Sequence, residues 1–338
     1  VRELLVGFED TFHLLKGQIG APILPIGYFA NVLNLGNIGL AVSSDGVGTK
    51  CLAAGEMGCY NTIGIDLVAM NVNDLLCVGA RPIALLNYIA LECASKSMLR
   101  EIFEGICTGA RLARISIPGG ETAILPGMIR GISPGSGFDL SGTAIGLVPP
   151  GRIITGAAVE EGDVLLGIAS NGLHSNGYTL ARKVLLARNL LGVETRFPGL
   201  DLSLGEELLR PTYIYIQEIL NLFSAGIIPK AILNITGKGW LNLLRIESNA
   251  RYEIDFLPSV PEIFEIIQAS GNISDEEMYT TFNMGMGMSC VVEEQDVDLS
   301  LRVLNSFGKE ACRIGKVFSD LDKSVVIHPL NLVLKGNK

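Results

Sequence analysis

The sequence predicts an α/β (or α+β) chain built as two domains, residues 1–150 and 151–338, and three observations predict it. A length of 338 residues suits two hydrophobic cores better than one. Apolar runs of strand length alternate with stretches of helical period, the pattern of strands and helices packed in layers. Pro149-Pro150-Gly151 then breaks the chain near its middle. A composition that is 48% hydrophobic, rich in glycine (40 residues) and poor in aromatics fits tight α/β packing and not disorder.

The elements follow in order. Residues 40–43 read as a short strand ending at Asp45. The helical period over 62–78 closes at Gly79, just before Pro82. Residues 83–91 form a continuous apolar run of strand length. Helical spacing returns over 98–113, a short strand over 115–117 feeds Gly119-Gly120, and 138–148 reads as another strand. In the second half, a strand over 163–169 leads through a polar loop to a helix over 175–190. Helices are expected near 206–225, 239–247 and 260–270, with strands near 286–292 and 311–318. A last helix over 296–306 stops at Gly308.

Composition excludes several functions. A net charge of −9 with no Lys/Arg run argues against nucleic acid as a partner, while small anions remain compatible through local backbone N–H groups. Seven cysteines without a CxxC, and only three histidines, read as small buried residues in a reducing, cytoplasmic compartment, not as a zinc site or disulfide framework. The sequons at Asn234 and Asn272 carry little weight, because no secretory signal pattern precedes them. Residues 17–44 are uncharged and long enough to span a bilayer, yet their five glycines, two prolines and three asparagines would break a spanning helix. They are expected to form a buried, loop-rich segment at a domain or subunit interface, and no membrane partner is expected.

Two stretches carry the chemistry: Ser44-Asp45-Gly46-Val47-Gly48-Thr49-Lys50 and Gly119-Gly120-Glu121-Thr122-Ala123. Each sets a carboxylate among residues with little side chain, after an apolar run. A polyphosphate with Mg²⁺ needs hard oxygen ligands for the metal and bare N–H groups for the phosphate oxygens. No GxxxxGK[ST] occurs, so the pattern predicts ATP chemistry without a P-loop. On the helix over 62–78, Asp66, Asn73 and Asp74 share roughly one face, since seven and eight residues approach two turns. Their apolar neighbours predict burial, so these carboxylates must be paired or metal-bound. The bland alternative is a helix cap or an ion pair to Lys50 or Arg81; beside Asp45 and Glu121, metal ligation is preferred.

Ser170-Asn171-Gly172-Leu173-His174-Ser175-Asn176-Gly177 joins a strand end to a helix start. Ser175 reads as the N-cap, and the N–H groups of the next turn as an anion site. His174 reads as an acid, a base or a hydrogen-bond donor to substrate, against the alternative of a loop histidine satisfying its neighbours. Ile235-Thr236-Gly237-Lys238-Gly239 repeats this logic, either as a phosphate-binding turn or as a turn with a solvated lysine.

With these blocks in place, the chain resembles the phosphoribosylformylglycinamidine cyclo-ligase (aminoimidazole ribonucleotide synthetase) family from about residue 20 to 328. The resemblance rests on 45–50, 61–66 with 72–80, 119–123 with Pro126-Gly127-Met128, His174-Ser175-Asn176-Gly177-Tyr178, and 278–283. It implies an N-terminal ATP- and Mg²⁺-binding domain whose β-sheet contributes to a homodimer, and a C-terminal α/β domain completing the cleft. It implies catalytic roles for Lys50, His174 and Asn176. ATP contacts are implied at Asp45, Gly46, Gly48, Thr49, Asp66, Asn73, Gly119, Gly120, Ser175, Thr236 and Gly237. Metal ligands are implied at Asp45, Asp74 and Glu121. The implied reaction is ATP-dependent closure of the imidazole ring of formylglycinamidine ribonucleotide. The alternatives are another ATP-using superfamily enzyme, of selenophosphate synthetase or thiamine monophosphate kinase type, or a nucleotide-binding scaffold without turnover. Three departures stand out: Asn234-Ile235-Thr236-Gly237-Lys238-Gly239 replaces His-Ile-Thr-Gly-Gly-Gly, 240–245 lacks the usual Glu-Asn-Ile-Pro-Arg ending, and the family's N-terminal strand and its ATP-binding lysine have no recognisable counterpart before residue 20.

Overall fold

The computed structural model describes residues 7–189, 191–320 and 322–336, arranged around two mixed sheets with their own helices. The first sheet contains β1 (Asn31–Asn34), β2 (Gly39–Gly46), β3 (Arg81–Leu91), β4 (Ser116–Ile124) and β5 (Phe138–Val148). Their spatial order is β1-β2-β5-β3-β4, antiparallel throughout except that β3 and β4 run parallel. Helices α1 (Lys50–Met57), α2 (Ile63–Cys77) and α3 (Lys96–Ala113) accompany it, with α3 supplying the crossover that a parallel pair requires.

The sheet is covered on one side only. In β5 burial alternates residue by residue, with Leu140, Gly142, Ala144 and Gly146 buried and Asp139 and Thr143 exposed. Helix α2 packs on the covered face and is buried at every position but Ile65, which is why its sequence is apolar nearly all round. It meets α3 at glycine: a Cβ on Gly64 would lie 2.2 Å from the Ile106 nitrogen. The opposite face leaves Leu86 and Tyr88 about two-fifths exposed.

The second sheet contains β6 (Val164–Ala169), β7 (Ala231–Asn234), β8 (Ala250–Ile254), β9 (Met286–Val292), β10 (Ala311–Ser319), β11 (Ser324–Ile327) and β12 (Leu332–Lys335). Their order is β12-β11-β8-β10-β6-β9-β7, with β8 and β11 the parallel pair. Around it lie α4 (Tyr178–Arg182), which continues as a π-helical turn (Lys183–Arg188), then α5 (Leu204–Leu208), α6 (Ile216–Ser224), α7 (Glu262–Gly271), α8 (Asp275–Thr281) and α9 (Val297–Leu304).

Several local expectations change. The helix expected near 206–225 is two, α5 and α6, because Pro211 lies between them and cannot continue a helix. The helix expected from Ser175 starts at Tyr178 behind Gly177 (φ 76°), so Ser175 is not its N-cap; Leu190 lies outside the described residues. The stretch 239–247 contains only a 3₁₀ turn, Gly239–Leu244. Gly119, Gly120 and Glu121 lie within β4, an edge strand, and not in a loop after it. Residues 17–44 supply β1 and most of β2 between turns, and no helix among the described residues is long and apolar enough to cross a membrane.

Candidate active site

Strand β2 delivers Asp45 and Gly46 to the edge of a cleft, and the turn 47–49 then opens α1. Gly48 takes φ 70° in that turn, a conformation suited to glycine. Among the described residues the Gly48 and Thr49 N–H groups have no hydrogen-bond acceptor. Ser175, Asn176 and Gly177 line the same cavity of ≈ 560 Å³ as this turn, and Lys183 and Thr281 line it too. The Thr49 and Thr179 hydroxyls meet across it at 3.3 Å. A Cβ at Gly237 would lie 3.2 Å from Asn176 Oδ1, which puts the 236–239 turn beside the same loop. Thr236 directs its hydroxyl at Asn242 Oδ1, 3.5 Å away. The fold thus gathers Asp45, Gly46, Gly48, Thr49, Ser175 and Asn176 around one cavity, with Gly237 adjoining.

The polar residues of α2 do different work. Lys50 Nζ lies 2.8 Å from Asp66 Oδ2, and both side chains are fully buried. The same ammonium donates to the carbonyls of His174 (3.0 Å) and Arg210 (2.6 Å). With Asp66 Oδ1 also accepting at 2.9 Å, its three donors are spent. Asp66 additionally accepts from the backbone N–H and hydroxyl of Thr212. Seven residues on, Asn73 donates to the Tyr213 carbonyl and accepts from the Tyr215 N–H. Lys50, expected as a catalytic residue, and Asp66 and Asn73, expected at ATP, clamp the 210–215 segment of the second half onto α2. For Asp66 the observed arrangement is the ion pair to Lys50. Ser175, expected as a cap, bonds instead to the Thr212 hydroxyl.

Asp74 and Asp45 form the acidic end of this row. Burial first, and then the Asp45 carboxylate, raise the Asp74 pKa to about 7 against the lowering by the Asn234 hydrogen bond and the Arg245 charge. Asn234 Nδ2 donates to Asp74 Oδ1 at 2.8 Å. Burial also raises the Asp45 pKa, against the hydrogen bond it accepts from Gly46 N–H. Two desolvated carboxylates within electrostatic reach of one another suit a hard divalent cation such as Mg²⁺.

Glu121 does not join them within one chain. Register places Asp45, Gly142, Asn87 and Gly120 in one row and Gly46, Ser141, Tyr88 and Glu121 in the next. Adjacent rows point to opposite faces. The Gly142 row faces Asn71 and Leu67 of α2, so Glu121 stands on the open face, as exposed Tyr88 does. Three strand spacings, about 14 Å, also separate the edge glycines Gly119 and Gly120 from Asp45. Among the described residues no three His, Cys, Asp or Glu are placed to hold a metal ion.

His174 is buried rather than poised in the cleft. Its backbone takes φ 59°, and its ring centroid lies 6.0 Å from that of Tyr213 and 6.2 Å from that of Tyr215. Burial, with the Lys50 charge, lowers its pKa to about 3, so the ring is neutral at physiological pH. Its Nε2 has no partner among the described residues. Sequence reasoning missed Lys183, Thr179, Glu277 and Thr281 as cavity lining. It also missed Arg245, which stacks on Phe29 at 4.0 Å and donates to the Gly27 and Tyr28 carbonyls, tying the 27–29 turn to the second half. The 278–283 block was a signal for Thr281; a lone lysine in a helical stretch gave none.

Comparison with known proteins agrees with this layout. The chain matches the AIR synthase related protein N-terminal domain over residues 28–148 and the C-terminal domain over 160–328. It is 46% identical over 295 residues to the phosphoribosylformylglycinamidine cyclo-ligase of Methanobrevibacter smithii, covering 87% of this chain and 84% of that protein. To the Methanothermobacter thermautotrophicus enzyme of the same name it is 45% identical, with 94% and 89% covered. Among solved structures, a hydrogenase maturation protein HypE superposes with TM-score 0.65 at 20% identity, over 97% of each chain. Thiamine monophosphate kinase from Aquifex aeolicus superposes with TM-score 0.63 at 16% identity, over 96% of this chain and 97% of that one. These two likenesses show the shared two-domain α/β fold. Identity at this level over nearly the whole length shows more: the chain belongs to the phosphoribosylformylglycinamidine cyclo-ligase family.

Proposed function

We propose that this protein is the ATP-dependent cyclo-ligase of purine biosynthesis, a cytoplasmic enzyme that closes formylglycinamidine ribonucleotide to 5-aminoimidazole ribonucleotide with release of ADP and phosphate. The observation that carries the reading is the cleft itself: in a chain of this family, the 45–49 turn of one half faces Ser175 and Asn176 of the other. Bound Mg·ATP would supply the phosphoryl group that turns the formyl oxygen into a phosphate leaving group. The protein's part is positioning and charge neutralisation. The free N–H groups of Gly48 and Thr49 suit phosphate oxygens, and the Asp45 and Asp74 carboxylates suit the metal. Asn176 and Ser175 orient the substrate, with Gly237 and Thr236 beside them. Holding the ring-closing nitrogen against the formyl carbon requires no protein nucleophile. Lys50, Asp66, Asn73 and His174 keep the second half in register with α2 and support the cleft from beneath.

A homodimer completes the site in this reading. The open face of the first sheet carries Leu86 and Tyr88, both more than a third exposed, across a five-stranded surface. Glu121 stands on that same face, so a second copy covering it would remove apolar area from water and take Glu121 into the subunit interface. The test follows ADP and aminoimidazole ribonucleotide together from Mg·ATP, with and without formylglycinamidine ribonucleotide. One ADP per imidazole product, formed only with substrate, is expected. ADP release that ignores the substrate, or ATP binding without turnover, would overturn the assignment.

A further inference from the structure

A second cavity, ≈ 260 Å³, opens between the two halves at the other end of the first sheet. Arg81, at the start of β3, and Arg114, just past α3, line one side; Gln217, Ile216 and Leu220 of α6 line the other, with Phe307 beside them. Asp45 lies level with Asn87 across the sheet, six residues along β3 from Arg81, so about 20 Å of strand separates this cavity from the cleft. No residue is shared between the two.

The lining has a distinct chemistry. In a chain of net charge −9, both guanidiniums are without a hydrogen-bond or ion-pair partner among the described residues. Other cations that bridge the molecule are spent: Lys50 on Asp66, Lys230 on Asp163, Lys309 on Glu218. The backbones beneath the two arginines are fixed, Arg81 by the β3 ladder and Arg114 by its left-handed cap (φ 55°), whose N–H returns to Ala110 and Arg111. Two exposed arginines thus line the cavity together with Ile216, Leu220, Phe307 and Gln217. The first turn of α6 adds the positive end of a helix to the same lining. Arginine forks match the paired oxygens of phosphate or carboxylate. The volume admits an oxyanion on a short carbon body and excludes a nucleotide.

We propose that this cavity is a binding site for a small oxyanion metabolite, a phosphate monoester or a dicarboxylate, held by Arg81 and Arg114. The site adjoins the clamp described above, since Tyr215 immediately precedes α6 and packs against His174. The inference does not depend on which reaction the cleft performs.

Titration calorimetry with inorganic phosphate and, separately, succinate tests it on the intact protein. The double variant Arg81→Gln/Arg114→Gln is compared with the unaltered chain, and matching thermal melts without ligand show that it folds. Binding of one of the two probes should weaken at least tenfold in the variant and recover in part in Arg81→Lys/Arg114→Lys. Loss of phosphate binding alone assigns a phosphate ester, and loss of succinate binding alone a carboxylate. Identical isotherms in both proteins for both probes would overturn the proposal, leaving two solvated surface arginines.

Discussion

The Lys50 ammonium and the Asp66 carboxylate meet at 2.8 Å with neither side chain exposed, and each also grips the 210–215 segment of the other half. Removing one partner leaves a buried charge uncompensated. Lys50→Met should therefore cost about 3–5 kcal/mol in urea unfolding, whereas Lys50→Met/Asp66→Leu should recover part of that loss. Equal stability of Lys50→Met and the unaltered protein would remove the clamp.

Asp74 links stability to pH. Its folded pKa of about 7 exceeds its ordinary value of 3.8 because burial disfavours the charge. The folded state therefore favours the protonated acid, and that contribution, complete below pH 3.8, is lost as pH rises through 7. Asp74→Asn, measured without divalent cations, should gain stability over the native chain as pH rises, levelling near about 4 kcal/mol above pH 7 at 1.36 kcal/mol per unit. A difference independent of pH would contradict the raised pKa.

Metal affinity should show the same titration with opposite consequence. Protons compete with Mg²⁺ for Asp45 and Asp74, so Mg·ATP should bind more weakly at pH 6 than at pH 8. In Asp74→Asn that pH dependence should shrink. Binding that is equally tight at both pH values in the native chain would remove Asp74 from the metal site.

Glu121 and Asp45 stand on opposite faces of one sheet, which yields a mixing experiment. If the partner subunit's Glu121 completes the site, Asp45→Asn and Glu121→Gln homodimers are both inactive. Subunit exchange between them should restore about a quarter of native activity, since half the dimers are mixed and each holds one intact site. No recovery after exchange, verified by mass, would rule out a shared site.

His174 is neutral and buried, so it cannot supply a proton near neutral pH. His174→Gln should raise KM while leaving the shape of the kcat/KM pH profile between pH 6 and 8 unchanged. Losing a general acid or base would instead cost about 10²–10⁴ in rate and abolish an inflection; that outcome would return His174 to acid–base chemistry.

Long elements were legible in the chain: β5 occupies the residues read as a strand, 138–148, and α2 the fifteen residues between Thr62 and Val78. Strands of four or five residues, β1, β7, β8, β11 and β12, were not, because so few residues carry no period and their neighbours in the sheet are distant in sequence. The same limit governed the site. The cleft residues on local turns, Asp45 to Thr49 and Ser175 to Asn176, could be found from composition. Whether Glu121 shared a face with Asp45 depended on strand register, and whether Lys50 met phosphate or Asp66 depended on tertiary packing. Asp66 shows that a buried carboxylate on an apolar helix signals pairing before it signals metal.

The most direct test of the central claim follows an oxygen. With ¹⁸O in the formyl group of formylglycinamidine ribonucleotide and unlabelled Mg·ATP, the cyclo-ligase reading predicts the label in the released phosphate, one atom per imidazole formed. Label released to water, or retained in a phosphorylated product, would contradict it.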